Sequence, residues 1–208
     1  MSQSVPIADR LSAGLFDLFM VPLEALRLRR IRRRLLSRAR GVVLELGAGT
    51  GVNARHYPPQ QVDQLTVSDR DRRESVLRER YRPAAESGVS LSVDRIDAEQ
   101  LPAADNSCDT VVATLLFCSV GCPACGFEEI RRVLRPDGRY LFLEHVRPTH
   151  PRMARFFDRI NPLWNQLSRG CNLNRDTLTT LEDAGFELTR VEQDRRGVLV
   201  WGEARPRP

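Results

Sequence analysis

The sequence predicts an α/β fold: a doubly wound, mostly parallel sheet of seven strands, preceded by an amphipathic helical arm. Three observations lead there. Short apolar runs alternate with helical patterns from residue 41 onward, a glycine cluster comes after the first run, and the chain closes on a hairpin pattern around Arg195-Arg196-Gly197. Strand–helix alternation belongs to a parallel sheet, and a terminal hairpin adds an antiparallel strand. At 208 residues, 41% hydrophobic and 28% charged, the chain fits one such domain.

Residues 1–8 read as a loose end. Residues 8–39 carry apolar side chains at helical spacing (Leu11, Leu15, Phe19, then Leu28, Ile31, Leu35), and Pro22 breaks the pattern. The domain division is therefore an Arg-rich arm over 1–40 and a body over 41–208. The run 41–46, ended by glycines, is a buried strand, and a helix can start in 51–56. Residues 64–68 form a second strand closed by Asp69, then a helix over 70–81. Strands at 89–96 and 108–116 come next. A helix over 127–134 stops at the turn Pro136-Asp137-Gly138, and 140–145 is a fifth strand. Residues 150–169, with Phe156, Phe157, Leu163 and Trp164, read as an inserted helical segment. A helix over 175–184 ends at Gly185, and strands at 186–192 and 198–203 make the hairpin.

Every basic residue is Arg, with no Lys anywhere in the chain. That excludes a Schiff-base lysine and a phosphate loop ending in Gly-Lys-Ser/Thr. The net charge of +5 is unevenly placed: residues 1–40 hold nine Arg against three acids, the rest 23 Arg against 24 acids. A broad nucleic-acid face on the body is not expected, so nucleic acid is not an expected partner. The arm, over residues 11–40, suits either a solvated helix face or an anionic membrane surface. No apolar run approaches the roughly 20 residues of a membrane span. The apolar stretch 11–26 precedes the Arg cluster, the reverse of a secretory signal. The expected location is cytoplasmic, with peripheral association at the inner membrane surface as the arm's contribution.

The segment Val43-Leu44-Glu45-Leu46-Gly47-Ala48-Gly49-Thr50-Gly51 carries the chain out of the first strand. Glycines there let backbone approach a ligand closely. The dinucleotide spacing Gly-x-Gly-x-x-Gly is absent, because position 52 is Val. An acid at Glu45 suits a ligand with an ammonium group, such as the methionyl part of S-adenosylmethionine, and disfavours a diphosphate. Asp69 ends the second strand, where a carboxylate accepts ribose hydroxyls. Asp97-Ala98 comes after the third strand, where a carboxylate and a backbone N–H suit an adenine ring.

With these pieces in place, the chain resembles the class I S-adenosylmethionine-dependent methyltransferases from about residue 41 to the C-terminus. The matching motifs are residues 45–51, 97–102 with Asp109, and Ile130-Arg131-Arg132-Val133-Leu134-Arg135-Pro136-Asp137-Gly138, where the family usually has Gly at position 137. Within the family, Phe117-Cys118-Ser119-Val120, Glu144-His145-Val146, Trp164 and Gly170-Cys171-Asn172-Leu173 are similar to alkyl-thiol methyltransferases, and phospholipid and quinone methyltransferases belong to the same group. The resemblance implies the sheet order 3-2-1-4-5-7-6, with the cofactor over the C-terminal strand ends. It implies cofactor contacts at Glu45, Gly47, Ala48, Gly49, Gly51, Asn53, Asp69, Asp97, Ala98 and Leu115. It implies a small-molecule or lipid acceptor, an apolar thiol first, and no metal.

Cys118, Cys122 and Cys125 invite a metal or redox reading, since Cys122-Pro123-Ala124-Cys125 has the redox spacing. A zinc site there would need a ligand from Cys171 or His145, both distant in sequence. His145, at the end of the fifth strand, is the candidate to accept a proton from the acceptor. Glu144 is the neighbouring candidate, but adjacent strand residues point to opposite faces, so only one looks into the site. A nicotinamide-dependent dehydrogenase is disfavoured by Val52, and a non-catalytic nucleoside-binding module remains the other alternative.

Overall fold

The computed structural model describes residues 27–70, 74–168 and 170–208. The loose end, the apolar stretch 11–26 and the expected break at Pro22 lie outside the described residues, as do 71–73 and 169.

The elements run α1 (Arg29–Leu36), β1 (Gly41–Leu46), β2 (Val62–Ser68), α2 (Glu74–Glu86), β3 (Ser90–Asp94), β4 (Cys108–Thr114), α3 (Pro123–Val133), β5 (Leu134–His145), α4 (Pro151–Leu167), α5 (Thr177–Asp183), β6 (Phe186–Gln193) and β7 (Leu199–Pro206). They form one seven-stranded sheet in the expected order, β3-β2-β1-β4-β5-β7-β6. The first five strands pair in parallel, while β7 runs antiparallel to both β5 and β6. Strands β1 and β4 sit in the middle, and their β-branched runs bury both faces.

Two apolar layers flank the sheet. On one side Phe117, Phe127, Tyr140, Phe142 and Phe186 pack with α3 and α5. On the other, Leu77 and Tyr81 of α2 pack with Tyr57 and with Leu28, Ile31, Leu35, Leu36 and Ala39. The latter group moves the domain division. A boundary at residue 40 cuts through the core, because α1 lies on the body with its apolar stripe buried. Arg29, Arg30, Arg33 and Arg34 face outward. Arg27 pairs with Asp194 and Arg38 with Glu203, so part of the basic cluster is already neutralised.

Other departures have local causes. The helix expected from residue 51 is only a single 3₁₀ turn, Ala54–His56. Pro58 holds Tyr57 in extended backbone, which stops it. Helix α3 starts at Pro123, earlier than expected, with proline in its first turn and the Cys122 sulfur accepting the Cys125 N–H. Cys122 and Cys125 close this turn as a disulfide. Strand β5 begins at Leu134, and a register shift opposite Cys108 and Thr110 absorbs the Pro-Asp-Gly turn.

Candidate active site

The C-terminal ends of β1 to β4 open into a cleft, as parallel sheets do beside a change of strand direction. Gly47, Asp69, Asp97, Ala98 and Leu116 line it, with Ser119 and Val120 from the loop after β4. The glycine loop leaves β1 in left-handed backbone, φ 66° at Gly47 and 57° at Gly49. A Cβ on Gly47 would run into the Leu116 side chain at 2.7 Å, whereas one on Gly49 would meet nothing within 4 Å. The open side of Gly49 is the kind of approach a bound nucleoside needs. Asp69 clamps the loop by accepting the Gly49 N–H at 2.6 Å. Asp97 turns its own loop, its Oδ1 accepting the Glu99 N–H at 3.0 Å. Glu99 in turn accepts N–H groups from Gly121 and Cys122, which ties this rim of the cleft to the start of α3.

The remaining expected cofactor contacts lie outside this lining. Glu45 is fully buried and is not among the residues lining the cleft. Its carboxylate accepts the Asn53 amide at 2.7 Å, the Tyr57 hydroxyl at 2.7 Å and the Tyr81 hydroxyl at 2.6 Å. These three bonds fasten the floor beneath the glycine loop. Burial pushes this carboxyl above its ordinary range, against the three hydrogen bonds and Arg32. Asn53 is likewise spent inside, receiving Arg32 and donating to Thr114 as well as Glu45. Gly51 packs against α2, where a Cβ would sit 3.0 Å from that of Arg80. Leu115 turns the chain with φ 57°, and its neighbour Leu116 takes the cleft wall. Ala48 is buried, its N–H bonded to Ser68.

On the acceptor side the two candidate bases separate. Glu144 is fully buried, with Oε1 accepting N–H groups of Leu116 and Phe117 and Oε2 that of Cys118. Burial pushes it up to about 7, against these three bonds. It holds the loop after β4 in shape, its carboxylate taken up by loop amides. His145 points the other way, half-buried, its Nδ1 3.8 Å from the Cys171 sulfur. Cys118 lies beside them. Its thiol is pushed well above its ordinary value by its hydrogen bond to Cys171 and by burial. Cys171 is pushed down, first by that bond and then by His145 and Trp164. Phe157, Ile160 and Trp164 of α4 cover this corner, together with Leu173. The same helix leaves Phe156, Leu163 and Leu167 exposed.

The sequence reading missed Arg32, Tyr57, Tyr81 and Thr114. Arg32 is 4% exposed and donates to Asn53 at 2.8 Å and Thr114 at 2.6 Å. A signal existed: Leu28, Arg32, Leu35 and Leu36 share one helix face, so a charge stands in the apolar stripe. The tyrosines gave no signal, being 12 and 36 residues from Glu45.

A family model described as a methyltransferase domain matches residues 44–142. The human thiol S-methyltransferase TMT1B is 34% identical over 175 residues, covering 78% of this chain and 70% of that protein. Human TMT1A, also a thiol S-methyltransferase, is 32% identical over 169 residues, covering 79% and 67%. The crystal structure of a putative methyltransferase from Bacillus halodurans superposes with a TM-score of 0.68 at 18% identity, over 86% of this chain and 98% of that one. Sheet order, an open glycine loop and these relatives agree: the chain belongs to the class I S-adenosylmethionine-dependent methyltransferases, with S-adenosylmethionine as its cofactor.

Proposed function

We propose that this enzyme methylates the sulfur of a small apolar thiol. The observation that carries this is the convergence of three segments, 117–120, 144–146 and 170–173, into one apolar corner beside the cofactor cleft. They are the segments that resemble alkyl-thiol methyltransferases, and human TMT1A and TMT1B are thiol S-methyltransferases.

S-Adenosylmethionine supplies an already activated methyl, so the chain's work is alignment and exclusion of water. Gly47 and Gly49 would admit it, Asp69 would accept the ribose hydroxyls, Asp97 the adenine amino group, and the Ala98 N–H would donate to the ring. Glu45 and Asn53 act from below by fixing the loop. An acceptor thiol is only a few per cent thiolate at neutral pH. A group that lowers its pKa by one unit raises that fraction roughly tenfold. His145 is the chain's group for this task, and His145→Ala should cost about 10²–10⁴-fold in turnover. Helix α4 closes the corner from above.

A lipid acceptor is the second reading. Phe156, Leu163 and Leu167 stand exposed on α4, with Arg152, Arg155 and Arg159 on the same helix. This suits a helix lying at a bilayer surface, as does the outward Arg face of α1. No helix among the described residues is long and apolar enough to cross a membrane. One experiment separates the readings: methyl-labelled cofactor offered with a panel of alkyl thiols and with phosphatidylethanolamine vesicles. Label in the thiols supports the first; label in lipid and in no thiol overturns it.

A further inference from the structure

Cys118, His145 and Cys171 come from three separate parts of the chain and meet at one point. Cys118 comes just after the left-handed turn that ends β4, His145 ends β5, and Cys171 lies beyond α4. The Cys171 sulfur is 3.8 Å from His145 Nδ1, and the three ligand atoms all lie within 4.8 Å of one another. Around a tetrahedral zinc ion, Zn–S bonds of about 2.3 Å and Zn–N bonds of about 2.0–2.1 Å place neighbouring ligand atoms roughly 3.5–3.8 Å apart. The observed spacing is slightly wider than that.

The surroundings favour a soft cation. Both cysteines are buried and His145 is half-buried. The carboxylate of Glu144, next to His145, is held by three loop amides, and the oxygens beside the Cys118 sulfur are the Leu115 carbonyl and the Ser119 hydroxyl, not carboxylates. Two sulfurs and an imidazole are the donor set for Zn²⁺ rather than Mg²⁺ or Ca²⁺. Cys122 and Cys125, whose redox spacing drew attention in the sequence, are joined to each other and take no part in this cluster.

We propose that Cys118, His145 and Cys171 bind one thiophilic divalent cation, Zn²⁺ by preference, and that its fourth position receives the acceptor's sulfur. Three protein ligands with one open position is the arrangement of catalytic rather than structural zinc. Ser119, next to Cys118, lines the cofactor cleft, so the cation sits beside the methyl donor's site. When a thiol binds, its S–H bond breaks, a metal–sulfur bond forms and the proton passes to solvent. The sulfur is thereby held as a thiolate, and the cation, with His145 among its ligands, takes over the pKa-lowering task given above to His145 alone. The fourth-position clause rests on the thiol reading above; the cation site does not.

The test uses the full chain with Cys122→Ser and Cys125→Ser, so that reduction frees no second thiol pair, stripped with a chelator under reducing conditions and titrated with Co²⁺ alone. The expected result is one Co²⁺ per chain with a sulfur-to-cobalt charge-transfer band, displaced by Zn²⁺. Cys171→Ser and His145→Gln should each weaken binding by more than about 100-fold, since even outer-shell changes cost 10–100-fold. Cys108→Ser, whose thiol is buried elsewhere, should bind as the unaltered chain does. Absence of the band, or equal loss in Cys108→Ser, overturns the site. So does a Cys118–Cys171 disulfide in freshly purified protein. A small alkyl thiol added to the Co²⁺-loaded chain should shift the band. An unshifted band with Co²⁺ bound overturns the fourth-position role. Neither cofactor nor acceptor turnover enters the metal titration, so its failure is distinct from failure of the labelled-methyl panel.

Discussion

Changing Glu45 to Gln separates two accounts of this residue. If its carboxylate fastens the floor, the loss should appear in stability. If it pairs with a ligand ammonium, the loss should appear in cofactor binding. The Tyr81 hydroxyl donates to Glu45 at 2.6 Å, with both residues buried. A hydrogen bond to a charged group contributes about 1.5–3 kcal/mol, and one between neutral groups about 0.5–1.5. Tyr81→Phe should therefore cost about 1.5–3 kcal/mol in the unaltered chain and about 0.5–1.5 in the Glu45→Gln background. The difference, about 1 kcal/mol or more, is the coupling. Urea unfolding at constant m-value reads it from four proteins. Equal costs in both backgrounds, within the roughly 0.3–0.5 kcal/mol to which independent sites add, would refute the reasoning. Calorimetry on Glu45→Gln supplies the second arm. Cofactor affinity should move by less than about tenfold, whereas truncating one member of a buried charge pair costs about 2–5 kcal/mol.

The same geometry yields three further outcomes. Gly49→Val should abolish measurable cofactor binding, both by filling the open side of the glycine loop and by straining its left-handed backbone; calorimetry showing equal affinity would displace the cofactor from this loop. His56 is held down to about 4 from 6.5, by burial first and then by Arg55, Arg32, Arg29 and Arg33. Because the unfolded chain takes up this proton first, the stability His56 contributes is full above 6.5 and is lost as the pH falls towards about 4. His56→Gln should flatten that part of the stability profile, and an unchanged slope counts against it. The outward Arg face should bind anionic vesicles more strongly than neutral ones, with affinity falling as salt rises, each Arg near the surface contributing on the order of 1 kcal/mol. Co-sedimentation that ignores lipid charge would reject it.

The sheet and its order were legible because their signals are local or familial. Strand runs bounded by glycine, and a short motif after β1, need no knowledge of distant residues. The cleft residues Asp69 and Asp97 were legible for the same reason, each ending a strand in turn. Side-chain direction was not. Glu45 stands in the cofactor motif, yet the pleat turns its carboxylate down onto Tyr57 and Tyr81. Which of Glu144 and His145 is taken up by the loop after β4 depends on where that loop aims its amides. The meeting of Cys118, His145 and Cys171 needs β4, β5 and the end of α4 to be packed first. Spacings of 26 residues or more leave no periodic trace in the sequence.

Arg32 gives α1 a meaning that composition hides. The side chain runs from a helix outside the methyltransferase motifs to Asn53 and Thr114, and Asn53 in turn holds the Glu45 carboxylate beneath the glycine loop. The N-terminal segment is therefore not an interchangeable address tag. A chimaera that grafts another relative's leader at residue 41 would arrive with a hole in its foundations, and its defect would register in nucleoside binding before any question of targeting arose. Engineering of this enzyme has to keep the segment from Leu28 onward, the first buried side chain among the described residues.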